Sequence, residues 1–179
     1  MLRRLLSIPV GLLAMAGVVA GAAAGAASAG PAGGPATGGS VTYSIPVTPV
    51  RVVRAFTPPA TRYAPGHLGV DLAVPPGAVV RAAAAGVVRF AGSVAGRGLV
   101  VVLHADGVST EYEPLAISVR TGAAVTHATV LGRVRGAHGP AATCAPGRCL
   151  HWGARRGGSY LDPLLLLRPL GPVRLLPYP

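Results

Sequence analysis

Between residues 47 and 134 the chain alternates short apolar runs, rich in valine, with turns that contain glycine or proline. No segment there has the length and the 3.6-residue period of an amphipathic helix. Many short strands at close spacing are typical of an all-β sheet, sandwich or barrel. We therefore predict an all-β domain whose strands cover residues 79–84, 87–91, 99–104, 109–112, 123–125, 130–134 and 150–155.

The segments on either side of these strands have a different composition. Residues 30–46 are rich in glycine, proline and small residues, which bury too little apolar surface to fold, so we predict a flexible linker there. The folded domain is then expected over residues 47–168. Near its end, residues 162–167 predict a short helical turn with Pro163 at its first position. Residues 169–179 form a proline-rich tail.

The amino terminus has the composition of an export signal. Two arginines precede an apolar stretch at residues 5–20 and a Gly/Ala tract that ends in the small-residue pattern at residues 27–29. We predict a secretory signal peptide over residues 1–29 and no stable membrane span once it is cleaved. The alternative is an uncleaved anchor, because residues 5–29 reach the roughly 20 residues that a spanning helix needs.

The charge of the chain is strongly one-sided. Its 16 basic residues, all of them arginine, outnumber 5 acidic residues and give a net charge of +11. Such a charge suits an anionic polymer, and outside the cell the candidates are wall glycopolymers, peptidoglycan carboxylates and lipid head groups. Nucleic acid would require an intracellular address, which the export signal argues against. Because most of the arginines are scattered singly, an overall composition bias explains the charge equally well.

Two short segments carry residue types that bind metals. His67 and Asp71 lie four residues apart, and Cys149 and His151 lie two apart on a predicted strand, so the second pair projects from one face. In an extended strand His67 and Asp71 would lie about 13 Å apart, too far to bind one ion. We therefore expect the chain to bend at Gly69. Histidine, carboxylate and thiolate are all zinc ligands.

These segments belong to a longer series of motifs whose order and spacing closely resemble the lysostaphin-type, LytM-like peptidoglycan metallopeptidases. The resemblance covers roughly residues 65–167. It is carried by His67-Leu68-Gly69-Val70-Asp71-Leu72-Ala73, Pro76-Gly77, Val80-Arg81-Ala82-Ala83, Gly86-Val87-Val88, Ala91-Gly92, Leu103-His104-Ala105-Asp106-Gly107, Thr110-Glu111-Tyr112, Val119-Arg120-Thr121-Gly122, Leu131-Gly132, Leu150-His151-Trp152-Gly153 and Asp162-Pro163.

The resemblance implies a small antiparallel β-sheet or sandwich domain of the duplicated hybrid motif type, with loops around one zinc ion. It also implies an activity that cuts peptide bonds in bacterial cell walls. By position the zinc ligands are His67, Asp71 and His151. Three protein ligands leave a fourth place for water, whose pKa the ion lowers towards about 7 while it polarises the scissile carbonyl.

The chain departs from the family at two positions. Active members carry one histidine after the Thr-x-Tyr strand and another two residues before the last ligand, which are thought to orient the water and stabilise the oxyanion. Pro114 and Cys149 stand there in this chain. Proline offers neither a proton nor a donor. Glu113 is a candidate replacement base, although in a strand it faces away from the side of residue 114. The catalytic residues stay unassigned.

The other histidines and the cysteines lie around these motifs. We interpret His104 as a structural residue, and we expect His127 and His138 at the surface, although His138 has the option of approaching the groove from a loop. Cys149 has three candidate states: a disulfide with Cys144, a fourth zinc ligand or a reactive thiol. Secretion and the Pro-Gly turn between the two cysteines favour the disulfide.

Two functions are consistent with these residues. The first is a secreted, cell-wall-associated zinc metalloendopeptidase that acts on peptidoglycan peptides with impaired or altered catalysis. The alternative is a noncatalytic domain that binds peptidoglycan or activates another wall hydrolase. The Val/Gly pattern also resembles biotinyl and lipoyl carrier domains, but these present a modifiable lysine, and the chain has no lysine.

Overall fold

The structure of the chain is a computed structural model that describes residues 40–61, 64–136, 138, 144–145 and 148–167. The predicted signal peptide, most of the predicted linker and the proline-rich tail lie outside these residues. Within the described ranges, no helix has both the length and the apolar composition that crossing a membrane requires.

The described residues form antiparallel β-strands and one short 3-10 helix, which confirms the predicted all-β fold class. In chain order the strands are β1 (Val52–Arg54), β2 (Gly69–Ala73), β3 (Val79–Arg81), β4 (Gly86–Val94), β5 (Arg97–His104), β6 (Val108–Glu113), β7 (Leu115–Ile117), β8 (Ala124–Val125), β9 (Val130–Val134), β10 (Cys149–Arg156) and β11 (Ser159–Leu161). The 3-10 helix covers Pro163–Leu167, where the sequence predicts a helical turn.

The strands form two sheets. The larger sheet has the order β1-β2-β10-β6-β5-β4-β8, and β11 pairs with the second half of β10. The smaller sheet has the order β3-β9-β7. This order places β10, close to the end of the chain, between β2 and β6, so residues that are about 80 positions apart in sequence become neighbours.

Each of the seven predicted strands corresponds to an observed strand, with small shifts at the ends. The largest shifts are of three residues: β3 ends at Arg81 rather than at residue 84, and β4 ends at Val94 rather than at residue 91. Four short strands, β1, β2, β7 and β11, were not predicted. Each has three to five residues and is held by pairing with a longer neighbour, and so short a segment carries little periodicity of its own.

The packed domain begins earlier than the predicted boundary at residue 47. Tyr43 and Val47 are buried in the core, and Val41 and Ile45 pack against it. These four apolar residues recur at every second position, which is the period of a strand and lets one side of an extended segment be buried. The predicted linker therefore ends before Val41, and the six residues that follow belong to the domain.

His104 joins two strands through buried hydrogen bonds. Its Nδ1 lies 2.8 Å from the carbonyl oxygen of Ala85, and its Nε2 lies 2.8 Å from the hydroxyl of Thr110. Thr110 in turn bonds to the hydroxyl of Tyr112, which accepts a hydrogen bond from the amide of Ala83. All the polar atoms in this chain of contacts are paired, as buried polar groups require, which supports the structural role expected for His104.

Candidate metal centre

The centre lies on a row of residues that crosses three adjacent strands. On β10, His151 is in register with Asp71 of β2 on one side and with Glu113 of β6 on the other. Residues that face each other across antiparallel strands project from the same face of the sheet. The register therefore directs an imidazole and two carboxylates to one face, although no two of them are close in sequence.

Three side chains on this face bring their donor atoms into one cluster. The Nε2 atom of His67 lies 3.1 Å from Oδ1 of Asp71 and 3.1 Å from Nδ1 of His151, and the last two atoms are 2.9 Å apart. Asp71 is fully buried, and the two histidines are 5% and 8% exposed. The structure thus brings together all three residues that the resemblance assigns as ligands.

The chemistry of this donor set fits a zinc ion. Two ligand atoms at about 2.1 Å from a tetrahedral ion lie roughly 3.4 Å apart, close to the separations in the cluster. The Nδ1 atom of His67 lies 2.8 Å from the carbonyl oxygen of Ala55, which only accepts, so Nδ1 carries the hydrogen and the Nε2 lone pair faces the carboxylate of Asp71. A cation between two such electron-rich atoms satisfies both. Oδ2 of Asp71 is also buried without a hydrogen-bond partner in the described structure.

The protonation of the cluster suits metal binding. Burial opposes ionisation of Asp71, yet the hydrogen bond with His151 and the nearby histidines together lower the pKa of its carboxyl group. Burial lowers the pKa of His151, although Asp71 partly opposes this effect. The centre therefore favours an ionised carboxylate and a neutral imidazole at neutral pH, and these are the forms that bind metals.

Gly69 leaves space for a metal ligand and does not form the bend that we predicted from the sequence. It is the first residue of β2, where it pairs with Gly153 of β10. A Cβ atom at residue 69 would lie 2.5 Å from the carbonyl oxygen of Trp152 and 2.7 Å from Nε2 of His151. The absence of a side chain therefore leaves room for the His151 ring, and the turn that brings His67 towards Asp71 lies before the strand.

The disulfide is present between Cys144 and Cys149, whose Cα atoms are 5.3 Å apart. Among the described residues there is no free cysteine. Cys149 is therefore neither a thiolate ligand nor a nucleophile in this state, and the disulfide interpretation is the one that the structure supports. The bridge ties residue 144, which lies between β9 and β10, to the first residue of β10, two positions before His151.

His138 is a fourth side chain at the centre, although we expected it at the surface from the sequence. His138 lies between β9 and β10 with its Nε2 atom 3.5 Å from Oδ1 of Asp71, and it belongs to the group of four potential metal ligands with His67, Asp71 and His151. The expected surface position of His138 is thus wrong, and the loop approach is the arrangement observed. His127, by contrast, is exposed in a turn, as expected.

Glu113 lies beside His138 and faces the centre. Its Oε1 atom is 3.2 Å from Nδ1 of His138, and its Oε2 atom accepts a hydrogen bond of 3.1 Å from Arg97. These contacts, with His138 first, lower the pKa of Glu113 to about 2. So acidic a carboxyl group is a poor proton acceptor at neutral pH, which argues against Glu113 as the replacement base. Pro114, which follows it, is buried at the junction of β6 and β7.

No spacing rule links His138 or Glu113 to the metal ligands. Glu113 follows the Thr-x-Tyr strand, but only its register with His151 places it on the face of the centre. His138 is outside all the motifs and reaches the centre through the loop between two strands. The one available signal is its residue type, because a histidine in a loop near the groove is able to approach a metal.

Comparison with known proteins agrees with this geometry. The profile of Peptidase family M23 matches residues 65–163, which include both metal-binding segments. The uncharacterised protein Rv2891 of Mycobacterium tuberculosis is 44% identical over 133 residues, which cover 72% of this chain and 52% of that protein. The DD-carboxypeptidase/endopeptidase Mpg of Neisseria meningitidis is 34% identical over 110 residues, or 58% of this chain and 23% of that protein.

A solved structure gives the same result for the fold. Lysostaphin matches with a TM-score of 0.55 and 21% identity, and the match covers 79% of this chain and 61% of lysostaphin. This chain spans about half the length of the Mycobacterium protein and a smaller part of Mpg. The family profile covers more than half of the chain and contains the two segments that meet at the centre, so the chain belongs to Peptidase family M23.

Proposed function

We propose that the chain is a secreted zinc metalloendopeptidase that cuts peptide bonds in peptidoglycan. The observation that carries this proposal is the convergence of His67 Nε2, Asp71 Oδ1 and His151 Nδ1 within 3.1 Å of one another on one face of the sheet. Membership of family M23 supports a metal-dependent peptidase. The names of Mpg and of lysostaphin are consistent with an enzyme of this kind.

The ligands contribute to binding of the ion in different ways. Asp71 supplies the single negative charge and, because it is fully buried, pairs more strongly with a cation than an exposed carboxylate would. His67 is fixed by the Ala55 carbonyl, an outer contact that sets its tautomer and ring orientation. When bound, the zinc ion polarises the scissile carbonyl and activates a water molecule.

Secretion is supported by the sequence and by the cysteine pair. The first 29 residues have the composition of an export signal. The disulfide between Cys144 and Cys149 fits an oxidising compartment outside the cytoplasm. The positive charge suits a second contact with the anionic polymers of the wall, which we propose as a partner beside the peptide substrate.

A noncatalytic role is the second candidate. Pro114 and Cys149 occupy the positions of the family's two helper histidines, and the disulfide removes the thiol of Cys149 from any chemistry. A domain of this kind would bind wall peptides in the same groove or activate another wall hydrolase. It would hold the metal without releasing peptides.

Metal content and peptide release test the two candidates on one sample. We expect about one zinc per chain in purified residues 30–179, slow zinc-dependent cleavage of cross-linked muropeptides, and loss of both in His67→Ala. Zinc without cleavage, together with saturable binding to isolated sacculi, would favour the noncatalytic role. Failure to bind zinc at all would contradict both the enzyme and its proposed cofactor.

A further inference from the structure

His138 lies at the edge of the ligand cluster, and its ring nitrogen Nε2 is farther from Oδ1 of Asp71 than the ligand atoms are from one another. The three ligand atoms lie 2.9 to 3.1 Å from one another, whereas Nε2 of His138 is 3.5 Å from Oδ1 of Asp71. The rings of His138 and His151 stack with their centroids 4.3 Å apart and their planes tilted by 31°. His138 thus stands over one side of the cluster, in contact with two of its members.

Glu113 sets the orientation of His138 by contacting Nδ1, the ring nitrogen on the side away from the cluster. Oε1 of Glu113 lies 3.2 Å from Nδ1 of His138, and the other carboxylate oxygen is held by Arg97. A carboxylate only accepts hydrogen bonds, so it favours the tautomer with the hydrogen on Nδ1. The lone pair on Nε2 then faces the cluster. Glu113 itself is fixed on the same face by its register with His151.

The attacking water requires a hydrogen-bonding group beside the ligands, and His138 is in a position to supply one. Among the described residues, Asp71 keeps one unpartnered carboxylate oxygen, Oδ2, at the ligands, but the two positions where the family carries helper histidines hold a proline and a disulfide-bonded cysteine, so neither supplies an imidazole. An imidazole acceptor beside the ligands, aimed by a carboxylate, is the arrangement by which a histidine orients a reacting group.

We propose that His138 orients the attacking water at the metal centre through its Nε2 atom, and that Glu113 is the positioning residue that aims it. The inference rests on the proposed peptidase function and adds the residue that takes the place of the missing histidines. His138 lies between β9 and β10, outside both positions at which the family carries its helper histidines.

The test separates water orientation from metal binding. We would compare wild type, His138→Ala, Glu113→Ala, Glu113→Gln and His127→Ala, the last being an exposed histidine in a turn that serves as the matched control. Zinc affinity would be measured by competition with a chromophoric chelator. The visible absorption spectrum of the cobalt-substituted protein would report the ligand set, and turnover of cross-linked muropeptides would give kcat and KM.

We expect His138→Ala to keep the zinc affinity within about threefold and the cobalt spectrum unchanged, while kcat falls about 100- to 10,000-fold at similar KM. Glu113→Ala should lower kcat about 10- to 100-fold. Glu113→Gln should lower it less, because the amide keeps an acceptor oxygen beside Nδ1 of His138. His127→Ala should match wild type in every measurement.

Three results would contradict these expectations. A large loss of zinc affinity or a changed cobalt spectrum in His138→Ala would make His138 a fourth ligand and contradict the inference. Full activity in His138→Ala, in an active wild type, would contradict it as well. An inactive wild type with zinc bound would refute the peptidase function itself, and the inference would fall with it.

Discussion

At the residue scale, Gly69 illustrates how closely the centre is packed. Its position at the start of β2 is one where the backbone needs no left-handed conformation, so the glycine is required by space alone. Both neighbours of a new Cβ atom, the Trp152 carbonyl and the His151 ring, belong to β10. An added methyl group would therefore push against the strand that carries a metal ligand.

We expect Gly69→Ala to lower the free energy of unfolding by about 1 to 3 kcal/mol through overpacking and to weaken zinc binding by displacing His151. The measurements are urea denaturation and chelator competition. Gly158→Ala is the control, because a Cβ atom there would meet nothing within 4 Å. Equal stability and zinc affinity in the two variants would contradict the packing argument.

Tyr112 is a second residue whose role depends on its surroundings. It is fully buried, and its hydroxyl links the amide of Ala83 to Thr110 and, through Thr110, to His104. Burial raises the pKa of Tyr112 to about 12, so the hydroxyl stays protonated at every working pH. The group is therefore a fixed part of a buried polar network.

Removal of that hydroxyl leaves the amide of Ala83 without its partner and takes away one of the two hydrogen bonds of the Thr110 hydroxyl. We expect Tyr112→Phe to lower the free energy of unfolding by about 1 to 3 kcal/mol, measured by urea denaturation with zinc affinity unchanged. Tyr160→Phe, on the partly exposed strand β11, is the matched control and should change stability little. A neutral Tyr112→Phe would show that the network adds nothing to stability.

At the scale of elements, β10 is the strand on which the site depends. It pairs with β2 and β6 in its first half and with β11 in place of β2 in its second half. Its first residue is Cys149, which the disulfide joins to Cys144. The same strand therefore carries a ligand, aligns Asp71 with Glu113 and receives the loop that contains His138.

The disulfide closes a short loop, so its effect on stability should be moderate. We expect the double variant Cys144→Ala/Cys149→Ala to lose about 2 kcal/mol of stability, the value that chain entropy predicts for a loop of this length. Zinc affinity should be retained within a few-fold. Denaturation under non-reducing conditions and chelator competition give the two numbers, and loss of zinc binding would mean that Cys149 takes part in the metal site.

At the scale of the whole molecule, titration of buried groups sets the dependence of stability on pH. Burial lowers the pKa of His104 and of His151 below the ordinary value of 6.5. As the pH falls below that value, the unfolded chain takes up protons that the folded chain does not. The contribution of these histidines is therefore complete above about pH 6.5 and is lost as the pH falls.

We expect the metal-free protein to be less stable at pH 5.5 than at pH 7.5, by at most about 1.4 kcal/mol per pH unit below 6.5 for each histidine. Urea denaturation at several pH values measures the slope, which should be smaller in His104→Gln. The lowered pKa values of Asp71 and Glu113 act in a different window, because their contributions are lost only below the ordinary values of 3.8 and 4.5. An equal slope in His104→Gln would contradict the assignment to His104.

The sequence by itself determined the fold class, the family and the similarity of two distant segments to a zinc-ligand set. Among three states of Cys149 it favoured the disulfide with Cys144, which the structure then showed. Periodicity and motif spacing are local properties, so they survive in a one-dimensional pattern. The strand runs of β4, β5, β6, β9 and β10 could be found in this way, and so could the turn at residues 162–167. The short strands β3 and β8 were found as well, whereas β1, β2, β7 and β11 were not, because pairing with a neighbour stabilises these four more than their own residues do.

Only the tertiary structure decided what surrounds the ligands. The register of β10 with β2 and β6 sets Asp71, His151 and Glu113 in one row, and a shift of one residue would have turned His151 to the opposite face. The position of His138 at the centre could not be predicted in this way, because the residue lies outside every strand and every motif, where the sequence carries no period. Ligand identity follows from motif order, whereas the groups that aim and support the ligands follow from strand register and loop path, which form only when the chain folds.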